Sequence, residues 1–113
     1  MQVPDWVREF DAAVTVCDAA GVILEMNDRA ARSFAEWGGR ALIGSNVLDC
    51  HPEPARAKLR QIMHEQRANT YTIERNGRRK LVHQAPWRRG GEYAGFVEIV
   101  VALPEGMEHF VRG

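Results

Sequence analysis

The sequence has too few cysteines for a framework of bridges. Cys17 and Cys50 are the only two, and neither sits in a Cys-x-x-Cys pair, so a zinc site of that kind is excluded. A single disulfide between them is formally allowed, but a chain of 113 residues with an adequate core does not need it. Net charge is also missing: fifteen basic residues balance fifteen acidic ones, which leaves no electrostatic footprint for a nucleic-acid backbone. The short basic runs Arg78-Arg79-Lys80 and Arg88-Arg89 lie beside expected turns, where solvated charge is the ordinary reading. No basic stretch followed by an apolar run opens the chain, and no segment approaches the ~18 continuous apolar residues of a membrane span. Repeats and low-complexity segments are absent. So are Gly-x-Ser-x-Gly, the phosphate-binding P-loop and His-Glu-x-x-His, and catalysis is not expected. These absences describe a reduced, cytoplasmic protein without nucleic-acid or membrane partners.

What is present suits one packed domain, since 45% of residues are apolar and 27% charged. Asp5 to Phe10 reads as a short helix after Pro4, with Trp6, Val7 and Phe10 at helical spacing. Ala13 to Asp18 and Val22 to Met26 read as strands joined at Ala19-Ala20-Gly21. Asn27 reads as an N-cap, with Asp28 in the first turn and an apolar stripe through Ala30, Ala31, Phe34, Ala35 and Trp37. Gly38-Gly39 ends that helix. One-turn pieces are expected over Ala41–Gly44 and Val47–Asp49. Pro52 and Pro54 then open a longer helix whose apolar face is Ala55, Leu59, Ile62 and Met63.

Three strands close the sequence. Asn69–Arg75 turns at Asn76-Gly77 into Arg79–Trp87, which turns at Arg89-Gly90-Gly91 into Glu92–Leu103. In the last strand Val97, Ile99 and Val101 share a face, which is expected to be core. Glu98 falls on the other face with Phe96 and Val100, to be solvated or paired with Gln84 or an arginine. Helices grouped between two blocks of strands indicate an α+β domain built on an antiparallel sheet.

This order resembles a PAS (Per-Arnt-Sim) domain along almost the whole chain. The resemblance is carried by Val22 to Phe34 with Met26-Asn27-Asp28-Arg29-Ala30-Ala31 at its centre, by Leu42-Ile43-Gly44-Ser45-Asn46-Val47-Leu48-Asp49, and by Gly90-Gly91-Glu92-Tyr93-Ala94-Gly95-Phe96-Val97-Glu98. Asp49-Cys50-His51-Pro52-Glu53-Pro54-Ala55-Arg56, Tyr71-Thr72-Ile73-Glu74, Gln84-Ala85-Pro86-Trp87 and the tail Met107 to Arg112 are similar to small stand-alone bacterial PAS sensor proteins. The resemblance implies a five-stranded antiparallel sheet with short helices and one longer helix on one face. It divides the chain into a cap helix over 1–12, a PAS domain over 13–103 and a tail over 104–113, with no output domain following. It implies a sensory or signalling role, with a small molecule bound between sheet and helices.

Residues expected to line such a pocket are Phe34, Trp37, Leu48, Leu59, Met63, Tyr71, Leu81, His83 and Ile99. For His83 the other reading is a satisfied or outward-facing side chain, because one sequence does not fix strand register. Either Cys50 and His51 are ligands for a metal or haem, or Asp49 or His51 helps cap the helix with Cys50 buried as a small apolar residue. Haem is disfavoured, since the proximal histidine of haem-binding relatives sits inside the longer helix, where Ala55 to Met63 has none and His64 comes only near the end. A flavin photosensor is disfavoured too. Its reactive cysteine would directly follow the Gly44-Ser45-Asn46 step, where Val47 stands. Trp6, Val7 and Phe10 either form a homodimer interface or cover the sheet of their own subunit. A homodimer and a separate signalling protein are the expected partners. A ligand-free interaction module of the same fold is the second functional reading, and a small enzyme using the cavity the third.

Overall fold

The β-branched run Val14-Thr15-Val16 places stiff side chains on a pleated surface. In the computed structural model, which describes residues 2–113, Ala13–Asp18 forms strand β1. A short helix α1 (Asp5–Arg8) precedes it, and β2 (Ile23–Met26) follows. Next come helix α2 (Asp28–Ser33), three single-turn 3-10 helices (Ala35–Trp37, Gly39–Leu42, Val47–Cys50) and helix α3 (Ala55–Glu65). Strands β3 (Asn69–Arg75), β4 (Arg78–Arg89) and β5 (Glu92–Ala102) complete the chain. The five strands form one antiparallel sheet in the order β2-β1-β5-β4-β3. The expected α+β architecture is what the structure shows, with one long helix and several short ones.

The turns follow local chemistry. Asn76 and Gly77 have φ of 54° and 75°, both positive as the two-residue hairpin between β3 and β4 requires. Asp18 Oδ1 accepts from the amides of Ala20 (3.0 Å) and Val22 (2.9 Å), which shapes the turn between β1 and β2. Gly95 lies opposite Asp18 with φ of 147°, and a Cβ there would collide with the Cys17 carbonyl oxygen and the Asp18 backbone. Glycine is what lets β5 approach β1 so closely at this point.

Asn27 is the best-satisfied polar group of the interior. Its side chain is 0% exposed. Oδ1 accepts from Ala30 N at 3.1 Å, capping α2, and from Val14 N at 2.9 Å. Nδ2 donates to Ala12 O at 2.7 Å and to Val7 O at 3.0 Å. One side chain thus ties the α1 segment, β1 and α2 together.

Two apolar clusters join the sheet to the helices. Ala13, Ile23, Met26 and Ala30 form one, with Phe34 and Val100 packed against it; Cys17, Leu59, Ile62 and Phe96 form the other. The helix-facing side of the sheet therefore carries Ala13, Thr15 and Cys17 of β1 and their register partners Val100, Glu98 and Phe96 of β5. This corrects the expected core face of β5: Val97, Ile99 and Val101 alternate to the opposite side and are half-buried there. Several boundaries also move. α1 stops at Arg8, so Phe10 lies beyond it, and β2 begins at Ile23, with Val22 making only an isolated bridge to Asn46. β4 runs from Arg78 to Arg89, and β5 ends at Ala102.

Candidate functional site

A cavity of about 610 Å³ opens between the helix-facing side of the sheet and the helices. Its floor is strand: Thr15 and Cys17 from β1, Gln84 from β4, Phe96 and Glu98 from β5. Phe34 and Trp37 stand at one side, and Leu59 and Met63 of α3 at another. Val47, Asp49, Cys50, His51, Pro52 and Arg56 line the rim leading into α3. The floor is regular because the register pairs Thr15 with Glu98 and Glu98 with Gln84, placing three polar side chains in one row across the strands.

Two members of that row, Gln84 and Glu98, are hydrogen-bonded to each other. Gln84, 7% exposed, donates from Nε2 to Glu98 Oε2 at 2.9 Å. Its carbonyl oxygen accepts from Asn69 Nδ2 at 3.3 Å, which fixes the orientation of the amide. At the rim, His51 Nδ1 lies 2.7 Å from the Val47 carbonyl oxygen, which can only accept, so Nδ1 donates to it. Arg56 Nε donates to the His51 carbonyl at 3.0 Å. Cys17 is buried, and that burial pushes its thiol pKa up. Cys50 is exposed, and its thiol is also pushed up, first by partial desolvation and then by the neighbouring Asp49 charge.

The expected site residues divide between two sides of the sheet. Phe34, Trp37, Leu59 and Met63 stand on the cavity wall, as do Cys50 and His51. Leu48 does not; it packs against the Cys17, Leu59, Ile62 and Phe96 cluster. Leu81, His83 and Ile99 lie on the far side, because His83 pairs with Ile99 and Leu81 with Val101 in the alternate register to Gln84 and Glu98. There the Thr70 hydroxyl lies 2.7 Å from His83 Nδ1. Tyr71 is off the wall as well. It sits on the edge strand β3, 41% exposed, with its hydroxyl pKa raised by burial and by the Glu98 charge.

Capping of α3 by Asp49 or His51 does not occur. Glu53 Oε1 accepts from Ala57 N at 2.9 Å instead, and Cys50 is not the buried small residue of that reading. Trp6 and Phe10 are 72% and 52% exposed with their rings edge-to-face, whereas Val7 is buried. The expectation missed Thr15, Cys17, Gln84, Phe96 and Glu98 as wall residues. For Phe96 and Glu98 the signal was the alternation of β5, read with the opposite sign. Among the described residues no cluster of three or more His, Cys, Asp or Glu could hold a metal ion, and no helix is long and apolar enough to cross a membrane.

The model of the PAS-fold family matches residues 7–105. Among solved structures, a C-terminal domain from Streptococcus mutans superposes with a TM-score of 0.69 at 18% identity, over 85% of this chain and 78% of that one. The PAS domain of BvgS from Bordetella pertussis gives 0.67 at 15% identity, over 88% and 82%. The Aer2 receptor from Vibrio cholerae, a dual PAS-haem oxygen sensor, gives 0.62 at 17% identity, over 82% and 95%. At these identities the likeness is one of fold. No curated protein matches the sequence.

Proposed function

The chain belongs to the PAS-fold family, and from that premise we propose that it is a sensory module whose cavity binds a small, mainly apolar molecule. The observation that carries this reading is the cavity of about 610 Å³, walled by aromatic and aliphatic side chains around the hydrogen-bonded Gln84–Glu98 pair. Ligand sites combine such walls with a few fixed polar groups, whereas a structural interior of the same fold would be filled by its own side chains. A ligand preferring one of two arrangements of sheet and helices would shift their populations. The cavity floor includes β1, the strand that Asn27 clamps to the α1 segment, so such a shift has a mechanical route to the amino-terminal surface.

Haem fits this wall poorly. The α3 histidine, His64, is exposed and off the wall, and among the described residues His51 is the wall's one imidazole. A flavin photoreaction would need a thiol directly after Asn46, where Val47 stands. Native mass spectrometry of the protein expressed in its own host tests the sensory reading. A co-purifying small molecule, lost on unfolding, is the expected result. A protein that stays free of ligand and binds no apolar probe of benzene size at millimolar concentration would leave the ligand-free module as the better account.

A homodimer is a further element of the proposal. The exposed Trp6–Phe10 aromatic pair favours it, since paired aromatics on a surface are typical anchors of interfaces. Sedimentation at micromolar concentration should give twice the chain mass, and a monomer there would refute it.

A further inference from the structure

The cavity floor holds a carboxylate that the protein does not neutralise. Glu98 is half-buried, and among the described residues it belongs to no ion pair. The hydrogen bond it receives is from the neutral Gln84 amide, whose other end is tied to Asn69. Formal charge on the wall is two carboxylates, Asp49 and Glu98, against one guanidinium, Arg56. Arg56 already spends its Nε on the His51 carbonyl, and His51 Nδ1 is held by the Val47 carbonyl. The unneutralised group on the floor, the Glu98 carboxylate, therefore asks for a hydrogen-bond donor. The apolar positions offer the aromatic faces of Phe34, Trp37 and Phe96.

A half-buried carboxylate is costly to leave unpaired and gains most from a cation brought to it in a desolvated place. Aromatic faces around it add cation–π attraction. An anionic ligand meets the reverse at this carboxylate, repulsion from Glu98. We propose that the cavity binds a small organic cation, an amine with an apolar or aromatic body whose ammonium group pairs with Glu98. This rests on the reading of the cavity as a ligand site and specifies the chemistry of its occupant.

Calorimetric titration of the full chain with three probes of matched size tests it: 2-phenylethylamine, 2-phenylethanol and 3-phenylpropionate at neutral pH. The amine is expected to bind about tenfold or more tightly than the alcohol, the worth of one charge-assisted hydrogen bond, and the propionate most weakly. In Glu98→Gln the new amide carbonyl still accepts from Gln84, so the fold is kept. That variant should bind the amine no more tightly than the alcohol. If wild-type protein binds the alcohol as well as the amine, or if Glu98→Gln leaves the amine preference intact, the charge assignment is overturned while the cavity remains a ligand site. If none of the three probes binds, the ligand-site reading falls and the inference falls with it.

Discussion

Replacing Asn27 by alanine removes a side chain that is 0% exposed and makes four hydrogen bonds to four different backbone groups. Losing the cap on Ala30 costs about 1 kcal/mol. The Val14 amide faces β2 without another partner on that side, and a buried donor left bare costs roughly 1–3 kcal/mol. The Ala12 carbonyl adds a smaller share. The Val7 carbonyl keeps the Phe10 amide at 3.1 Å and adds little. The expected loss is about 3–5 kcal/mol, a large part of the ~5–15 kcal/mol that holds an ordinary domain together. For a chain of 113 residues this corresponds to a fall in Tm of roughly 12–20 °C. Urea unfolding followed by tryptophan fluorescence measures it, provided the m-value is unchanged. Asn27→Ser keeps a capping oxygen and should fall between wild type and alanine. Native-state hydrogen exchange adds a local check, because the Val14 and Ala30 amides should lose protection beyond the global change. A loss below about 1 kcal/mol for Asn27→Ala would refute the reasoning, since the four bonds would then be replaceable by water or relaxation.

Two further outcomes follow from the same geometry. Gly95→Ala should unfold the domain or cost several kcal/mol, because the added methyl meets the Cys17 carbonyl and φ of 147° is unfavourable for alanine; a circular dichroism melt close to wild type would contradict this. The two thiols should separate cleanly in a disulfide-exchange assay: exposed Cys50 reacts in the folded protein, more slowly at pH 7.5 than an unstructured cysteine because its thiol is pushed up, and gains rate as the pH rises. Buried Cys17 should react only on unfolding. Its raised pKa means the unfolded chain loses that proton first, so its contribution to stability is whole below the ordinary thiol range and declines as pH rises through and above it. Labelling of both thiols at one rate in native buffer would count against the placement of Cys17.

The turns and the long helix were legible because their causes are local. Asn76-Gly77 needs two positive φ angles and nothing from elsewhere in the chain, and Leu59, Ile62 and Met63 mark one face of α3 by spacing alone. Asn27 was legible as a cap for the same reason. Its larger role was not, since Val7 and Ala12 lie 20 and 15 residues away and nothing nearby in sequence announces them.

The side of the sheet that faces the cavity was misread for a physical reason. Both faces of β5 are apolar: Phe96 and Val100 on one, Val97, Ile99 and Val101 on the other. Alternation fixes which residues go together but carries no sign. The carboxylate of Glu98 does not supply the sign either, because it can be solvated on an outer face or paired on an inner one. What sets the true orientation is long-range, namely the packing of Cys17 and Phe96 on Leu59 and Ile62. His83 and Ile99 went to the far side as a direct consequence, and Gln84 and Glu98 came to the floor. A rule that assigns faces by hydrophobicity fails first where a polar group is held inside, and such groups gather at sites that bind something. The corrected face and the proposal therefore share one consequence: turning β5 over brings Glu98 to the wall of a cavity, half-buried and, among the described residues, without a cation of its own.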